Sequence, residues 1–215
     1  MKKHTGDMKI KLAVLAVAGL ASLGLYDSGL HAQDGGRNAS DGVYTKAQGD
    51  AGRGAYASKC ASCHAFGSPQ TGQVTSIDIV GTDRHRLDSF TQPLVEKFHS
   101  YETPPFKFDA YRETNGYSIS PLDGVWARAP YLHNGSVPTL WDLLMPVEKR
   151  PQEFYTGYDV YDPKNVGFVT SGPDAERVGF KYEVCMPGNS NQGHTFGTEL
   201  KDNEKWDLIE FIKTL

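Results

Sequence analysis

Cysteine is scarce in this 215-residue sequence, which contains only Cys60, Cys63 and Cys185. An exported protein that relies on a disulfide framework usually carries more cysteines, and in even number. A zinc site needs a second Cys or His pair at suitable spacing, and Cys185 with His194, nine residues later, is a weak pair. A thioredoxin-like disulfide needs a surrounding βαβ pattern, which the sequence does not show. These absences disfavour the ordinary structural explanations for Cys60 and Cys63.

Long apolar runs are also scarce, since only one is present, from Leu12 to Tyr26. It contains about 15 residues, which is short of the ~20 needed to span a bilayer. Four lysines precede it and the small residue Ala32 follows, as in a secretory signal that is cleaved after residue 32. A retained membrane anchor is the alternative. We therefore expect a periplasmic or secreted protein with a signal peptide at 1–32, a flexible linker at 33–48 and no membrane span in the mature chain.

The sequence has no excess of positive charge. Without residues 1–32, the chain keeps 18 basic and 24 acidic side chains, a formal net charge of −6. Nucleic-acid binding favours a basic patch, so this composition gives no support to that class of partner. An acidic surface is compatible with docking onto a basic protein.

What the sequence does contain is the stretch KCASCHAF at residues 59–66. Cys-x-x-Cys-His is the signature of covalent haem c attachment. Two thiols on one helical turn can each form a thioether with a vinyl group of the same porphyrin, and the adjacent imidazole then lies over the iron. The motif occurs once. We therefore predict one covalent haem c, with Cys60 and Cys63 as the thioether residues and His64 as an axial ligand.

Helical patterns are predicted at both ends of the remaining chain. Gly52 and Tyr56 lie eight and four residues before Cys60, on one face of a helix that Asp50 can cap. The last 14 residues, from Asp202, form an amphipathic pattern. Its apolar stripe consists of Trp206, Ile209, Phe211, Ile212 and Leu215. A glycine on one helix facing aromatic side chains on the other permits a close crossing.

This arrangement resembles the class I cytochrome c fold. The resemblance implies a mostly α domain at 49–215, with crossed N- and C-terminal helices beside the haem and a long loop-rich insertion. The insertion has 137 residues, between His64 and Asp202, and is rich in Pro, Gly and Tyr. Within it we predict short helices at 87–101 and 138–146 and a turn at 133–136.

Three further phrases carry a closer resemblance. They are GTDRHRLDSF (81–90), SPLDGVWARAPYLHNGSVPTLWDLL (120–144) and PGNSNQGHTFGTEL (187–200). With the haem motif they are similar to the C-terminal haem domain of exported dihaem proteins, which include rubber-cleaving oxygenases and, more distantly, dihaem cytochrome c peroxidases and MauG-like enzymes. The similarity covers most of 45–215. Those relatives carry two haem motifs and this chain carries one, so the resemblance implies their electron-relay half.

The sixth ligand of the iron is a choice between His194, Met186 and water or an empty position. Met186 lies late in the chain, where simple cytochromes c have their methionine. His194 has glycines nearby on both sides, which let the backbone approach a flat porphyrin. The dihaem resemblance implies that the phrase containing His194 supplies a distal histidine. We expect His194, with Met186 as the alternative.

Other side chains have weaker claims to the site. We expect structural roles for His85 and His99, and favour a turn-stabilising role for His133 over one at the haem edge. Cys185 is expected to be a buried, inert thiol. We expect the walls of the haem pocket to include Trp126, Tyr131 and Trp141. Three arginines could pair either with the haem propionates or with surface carboxylates: Arg84, Arg86 and Arg128.

Two classes of function follow from these expectations. An iron with two strong axial ligands carries single electrons between redox proteins, whose identities the sequence does not give. The alternatives are a haem peroxidase or oxygenase with one open face, or the relay subunit of a split dihaem enzyme. The good candidates for a sixth ligand favour electron transfer over an independent enzyme.

Overall fold

The computed structural model of the chain describes residues 44–103 and 106–215. The predicted signal peptide and residues 33–43 of the predicted linker lie outside the described residues. The first helix begins at Lys46, inside the segment predicted as linker. None of the described helices is long and apolar enough to cross a membrane.

The described residues contain eight α-helices, two 3₁₀ turns and eight short strands. The α-helices are α1 (Lys46–Lys59), α2 (Ala61–His64), α3 (Ile77–Val80), α4 (His85–Ser89), α5 (Gln92–His99), α6 (Leu140–Leu143), α7 (Pro173–Val178) and α8 (Asp202–Ile212). The 3₁₀ turns are Val125–Ala127 and Val147–Lys149. The strands are β1 (Val74–Ser76), β2 (Glu102–Thr103), β3 (Phe106–Lys107), β4 (Gly116–Ser118), β5 (Glu153–Thr156), β6 (Tyr161–Asp162), β7 (Gly167–Phe168) and β8 (Phe180–Glu183).

The strands form four separate antiparallel pairs, β1–β4, β2–β3, β5–β8 and β6–β7. The prediction of a mostly α domain therefore holds only in part, because the insertion between the terminal helices is of mixed structure. Pro and Gly interrupt this insertion too often for long helices, and its backbone groups find hydrogen-bond partners in short two-stranded ladders.

The two terminal helices pack against each other, as the glycine and aromatic pattern predicted. A Cβ atom at Gly52 of α1 would lie 2.0 Å from the carbonyl oxygen of Asp207 in α8. The rings of Tyr56 and Phe211 lie 4.9 Å apart, centre to centre, and the Arg53 guanidinium lies 5.1 Å from the Phe211 ring centre. The helix backbones are thus in direct contact where the glycine has no side chain.

The core lies between α8 and the insertion. From α8 come Leu208, Ile209 and Ile212, and from the insertion come Tyr131, Val137, Leu140, Leu144 and Val166. Leu208 was missing from the predicted stripe, whereas Trp206 and Leu215 are only half-buried. The helix therefore buries its face against the insertion as well as against α1, which widens the apolar stripe beyond the aromatic positions.

The predicted helices within the insertion are shorter than expected. The segment 87–101 is divided between α4 and α5, and Pro93 lies in the first turn of α5 rather than at a kink. In the segment 138–146 only α6 is α-helical, and Thr139 caps it by accepting a hydrogen bond from the Asp142 amide at 3.1 Å. A threonine cap placed after Pro138 explains why the helix starts later than predicted.

Candidate haem site

The Cys-x-x-Cys-His motif lies at the junction of α1 and α2. The amide of His64 donates to the Cys60 carbonyl at 2.9 Å, and the amide of Cys63 approaches the same oxygen at 3.2 Å. Both thiols are free and half-buried. One helical turn thus holds the two sulfur atoms and the imidazole together, as the spacing predicted.

The two thiols have different surroundings. Cys60 packs against the hydrophobic core, and burial, with a smaller effect of Cys63, raises the pKa of its thiol to about 11. The Cys63 thiol donates to the Gln70 side-chain oxygen at 3.0 Å. Cys60 is therefore a neutral thiol at neutral pH, anchored on the core side of the motif.

The His64 ring is fixed by one hydrogen bond. Its Nδ1 lies 2.7 Å from the carbonyl oxygen of Ser120. A carbonyl only accepts, so Nδ1 carries the proton and Nε2 keeps its lone pair for a metal. Ser120 did not emerge from the sequence as a site residue, although it opens the phrase 120–144 that carries the resemblance.

The ring that faces His64 belongs to His194. The two ring centres are 6.2 Å apart and the ring planes make an angle of 53°. Two imidazoles on opposite sides of one metal would have centres ~6.2 Å apart, since each nitrogen lies ~2.0 Å from the metal and about 1.1 Å from its own ring centre. The separation therefore fits one metal ion held between both rings.

A bare metal ion is not sufficiently coordinated by these two side chains. In the described part of the chain, no group of three or more His, Cys, Asp or Glu side chains could hold a metal. A porphyrin supplies four nitrogen ligands of its own, so two imidazoles would complete the coordination of a six-coordinate haem iron. The exposed Phe196 ring lies 5.3 Å from the His194 ring, centre to centre, and Phe66, two residues after His64, is also exposed, which suits an apolar macrocycle. The residues present thus fit a haem.

The protonation state of His194 also suits a metal ligand. Burial, and to a lesser extent the proximity of His64, lowers the pKa of its imidazole to about 4. The ring is therefore neutral at neutral pH, which is the form that binds metals. Its Nδ1 is buried and has no hydrogen-bond partner among the described residues.

The backbone around His194 is packed against the end of α3. The His194 amide donates to the Val80 carbonyl at 2.7 Å. A Cβ atom at Gly193 would lie 2.3 Å from the backbone carbon of Gly81, and the φ of Gly193 is +79°. Gly193 is thus required by a close approach between two stretches of backbone, whereas its predicted role in approach to a porphyrin stays a prediction.

Arg150 holds the same loop from the other side. Its guanidinium donates to the carbonyl oxygens of Asn191 at 2.6 Å, Gly193 at 2.9 Å and His194 at 3.1 Å. The sequence did not indicate Arg150, because it belongs to no motif and its partners are backbone atoms.

The turn at 133–136 is joined to this loop by Asn134. The Asn134 amide group donates to the carbonyls of Gly188 at 3.0 Å and Ser190 at 2.9 Å, and its side-chain oxygen accepts from the Ser136 amide. The turn-stabilising role that we favoured for His133 thus belongs to Asn134. The phrases 120–144 and 187–200 are in direct contact here.

His133 itself stacks on Tyr117, with ring centres 4.2 Å apart. Its Nε2 is buried and has no partner within the described part of the chain. Burial lowers the pKa of His133, while Asp83 raises it and Arg86 lowers it. The ring therefore serves as a neutral packing surface for Tyr117.

Met186 and Cys185 lie in the exposed turn after β8. Met186 is 53% exposed, and His194 is the residue whose ring faces His64. Cys185 is exposed, so the expectation of a buried thiol was wrong. The tight turn that ends β8 presents both side chains to solvent rather than to the core.

The other two histidines of the described residues, His85 and His99, have local partners. His85 Nδ1 lies 2.9 Å from the Asp83 carboxylate, and His99 Nε2 lies 2.8 Å from the Tyr111 carbonyl. These contacts agree with the structural roles expected for both residues.

Two of the three arginines considered for propionates have protein partners. Arg84 pairs with Asp88 on the surface at 3.1 Å. Arg128 donates to the carbonyls of Pro121 and Asp123 at 2.9 and 3.0 Å. Arg84 therefore forms a surface salt bridge, which was one of the two predicted roles, and Arg128 stabilises a loop.

The aromatic residues expected in the pocket walls lie in or against the core. Tyr131 is buried, and Trp126 and Trp141 pack on the core cluster. Trp141 also stacks on Trp206 of α8, with ring centres 3.9 Å apart.

Comparison with known proteins supports the resemblance. A family model described as "RoxA-like, cytochrome c-like" matches residues 116–155, the stretch that contains Ser120, Asn134 and Arg150. The chain is 38% identical over 160 residues to "Uncharacterized protein y4iJ" of Sinorhizobium fredii (strain NBRC 101917 / NGR234), an alignment covering 63% of this chain and 26% of the relative. It is 39% identical over 119 residues to "Uncharacterized protein y4iM" of the same organism, covering 46% and 27%. The chain thus spans about a quarter of the length of the curated relatives it matches.

Proposed function

We propose, from the premise that the chain is a haem protein of the cytochrome c type, that it carries single electrons in the periplasm or another exported compartment. In this proposal Cys60 and Cys63 hold one haem c by thioethers, and His64 and His194 are its two axial ligands. The observation that supports it most strongly is the 6.2 Å separation of the two imidazole centres.

The bound haem would supply a one-electron iron couple. The residues of the chain would determine what that iron can do. The Ser120 carbonyl fixes the tautomer of His64, and the packed loop fixes the backbone of His194. With an imidazole on each face, no position remains for oxygen or peroxide unless a ligand leaves. Electron transfer is therefore favoured over chemistry on a bound substrate.

The exported location and the partners are inferred from the sequence. The predicted signal at 1–32 directs the chain out of the cytoplasm. The acidic composition of the remainder suits a redox partner with a basic docking surface, whose interaction with this chain would weaken as salt is added.

A second candidate is the relay subunit of a larger dihaem system. The chain spans only about a quarter of its curated relatives and carries one haem motif, so a second haem protein could supply the reactive centre. Co-purification of a second cytochrome with this chain would favour that candidate. Its absence would favour a free carrier.

The test is a spectrum of the full chain, produced in a host that attaches haem c. A pyridine haemochrome assay should give one haem per chain, and the oxidised and reduced spectra should be those of low-spin, six-coordinate iron. Carbon monoxide should not bind at neutral pH. A high-spin spectrum or ready formation of a carbonyl complex would overturn the axial pair, and a colourless folded protein would overturn the whole proposal.

A further inference from the structure

Arg150 is a charged side chain in an unusual position. It is 2% exposed and lies directly after the 3₁₀ turn Val147–Lys149. Charged side chains are almost never fully buried unless they are paired. Arg150 has no salt bridge among the described residues, and burial lowers the pKa of its guanidinium. The positive charge of the guanidinium is instead stabilised by hydrogen bonds to neutral acceptors.

Those groups are five backbone carbonyls. Two belong to the end of α6 and the residues after it, Leu143 and Met145, both at 3.2 Å. The other three belong to the loop that presents the distal imidazole, at Asn191, Gly193 and His194. The planar guanidinium therefore joins two segments that are more than 40 residues apart in the sequence.

This arrangement acts on the backbone of His194 rather than on its ring. The His194 imidazole has no hydrogen bond at its buried Nδ1 in the described chain, so no side-chain contact of that nitrogen sets its direction. The ring meets the Phe196 ring edge-on, with centres 5.3 Å apart. Its direction otherwise depends on the backbone, which has a φ of +45° at His194, a strained value for a non-glycine residue. Arg150 and the Val80 carbonyl hold that backbone from two sides.

We propose that Arg150 is the positioning residue that keeps the His194 imidazole opposite His64. This inference rests on the proposed function, because it assumes that His194 is the sixth ligand. It adds that the occupation of the sixth position is set by a residue 44 positions away, whose hydrogen bond to His194 is made to the backbone carbonyl.

The test uses the full haem-loaded chain and the variants Arg150→Lys and Arg150→Gln. Lysine keeps the charge and loses the planar fork, and glutamine removes the charge and keeps an amide donor. Losing even one hydrogen bond to a charged group should raise the population with an open iron about tenfold or more. We expect both variants to form a carbonyl complex under conditions in which the wild type forms none, and to have partly high-spin spectra.

Two controls separate positioning from general damage. Arg177→Lys changes an exposed arginine whose partner is Asp174, and it should behave as the wild type does. Adding free imidazole to the Arg150 variants should restore a low-spin spectrum, since the haem pocket remains and only the internal ligand is displaced. A residue that merely supported the fold would not give this rescue.

The outcomes are distinguishable. Carbon monoxide binding by the wild type itself would refute the axial pair on which the inference rests. A low-spin wild type with unchanged Arg150 variants would overturn the role of Arg150 alone. Failure of both variants to load haem would also overturn it, because Arg150 would then support the whole fold rather than one ligand.

Discussion

At the scale of single residues, the two histidines of the site are held in different ways. His64 is fixed through its ring, by the hydrogen bond from Nδ1 to the Ser120 carbonyl. His194 is fixed through its backbone, by Val80 and Arg150, while its own Nδ1 is unpaired among the described residues. A hydrogen bond at the second ring nitrogen fixes the direction of an imidazole, so we expect His194 to be the weaker of the two proposed axial ligands.

This difference leads to a prediction for the sixth ligand. His194→Ala should convert a low-spin iron to a high-spin iron that binds carbon monoxide, because no other imidazole faces His64 in the described chain. Met186→Ala is the matched control, and it should leave the spectrum unchanged because Met186 is largely exposed. Optical and electron paramagnetic resonance spectra measure both. A spectrum altered by Met186→Ala and not by His194→Ala would reverse the assignment.

At the scale of elements, the contact between α1 and α8 determines the position of the haem motif in the fold. The motif continues directly from α1, so the position of α1 against α8 sets the position of Cys60 and His64. This contact has no room for a side chain at Gly52, where an added Cβ would meet the backbone of Asp207. The spacing of the two helices is thus determined by one glycine.

A pair of alanine substitutions in α1 tests this contact. Gly52→Ala should lower the free energy of unfolding by about 1–3 kcal/mol or more, since the helices must separate. Gly54→Ala, two residues later in the same helix, has open space around its Cβ and should raise stability by about 0.5–1 kcal/mol through helix propensity. Chemical denaturation of the haem-loaded proteins measures both. Equal effects of the two substitutions would contradict the packing described here.

The loop around His194 is a second element that specific contacts hold in place. Gly193 lies against Gly81, Asn134 binds the carbonyls of Gly188 and Ser190, and Arg150 joins the loop to the end of α6. Few of these contacts involve two side chains. The loop is therefore held mainly through its backbone, which explains how a segment without regular secondary structure can present a ligand in a fixed direction.

At the scale of the whole molecule, the haem would join the two ends of the domain to its middle. The thioether residues lie at the end of α1, His194 lies just before α8, and Ser120 and Arg150 come from the insertion. A haem attached by thioethers at the end of α1 and held on its other face from the loop before α8 would stabilise the folded state over the unfolded state. The haem is thus expected to be part of the fold rather than an addition to it.

Removal of the thioethers tests this expectation. The double variant Cys60→Ser/Cys63→Ser should lose its haem on denaturation and have a Tm lower by at least about 5 °C, because a few kcal/mol of binding energy is no longer tied to the fold. Cys185→Ser is the control, since this exposed thiol should contribute to neither property. Haem staining of denaturing gels and thermal unfolding measure the two effects. A double variant with an unchanged Tm would show that the polypeptide folds independently of the haem.

The insertion is where prediction from the sequence failed most often. Its strands have two to four residues each, which is too short for an alternating pattern to be recognised. The turn function expected of His133 belongs to Asn134, because an amide group can donate and accept at once whereas the ring of His133 stacks on Tyr117. Cys185 was expected in the core and is exposed, since a single cysteine carries no pattern that reports burial.

The sequence by itself determined the parts of the site that lie within one helical turn or one helix. The spacing of Cys60, Cys63 and His64 is local, so helix geometry alone brings their side chains together. The contact between Gly52 and the aromatic stripe of the last helix was likewise predictable from the 3.6-residue period of the α-helix. Only the tertiary structure decided that His194 faces His64, and that Ser120 and Arg150 hold the two rings in place. The physical reason is that Ser120 and Arg150 act through hydrogen bonds that involve backbone carbonyls of distant segments. Every residue has such a carbonyl, so no sequence pattern indicates these contacts.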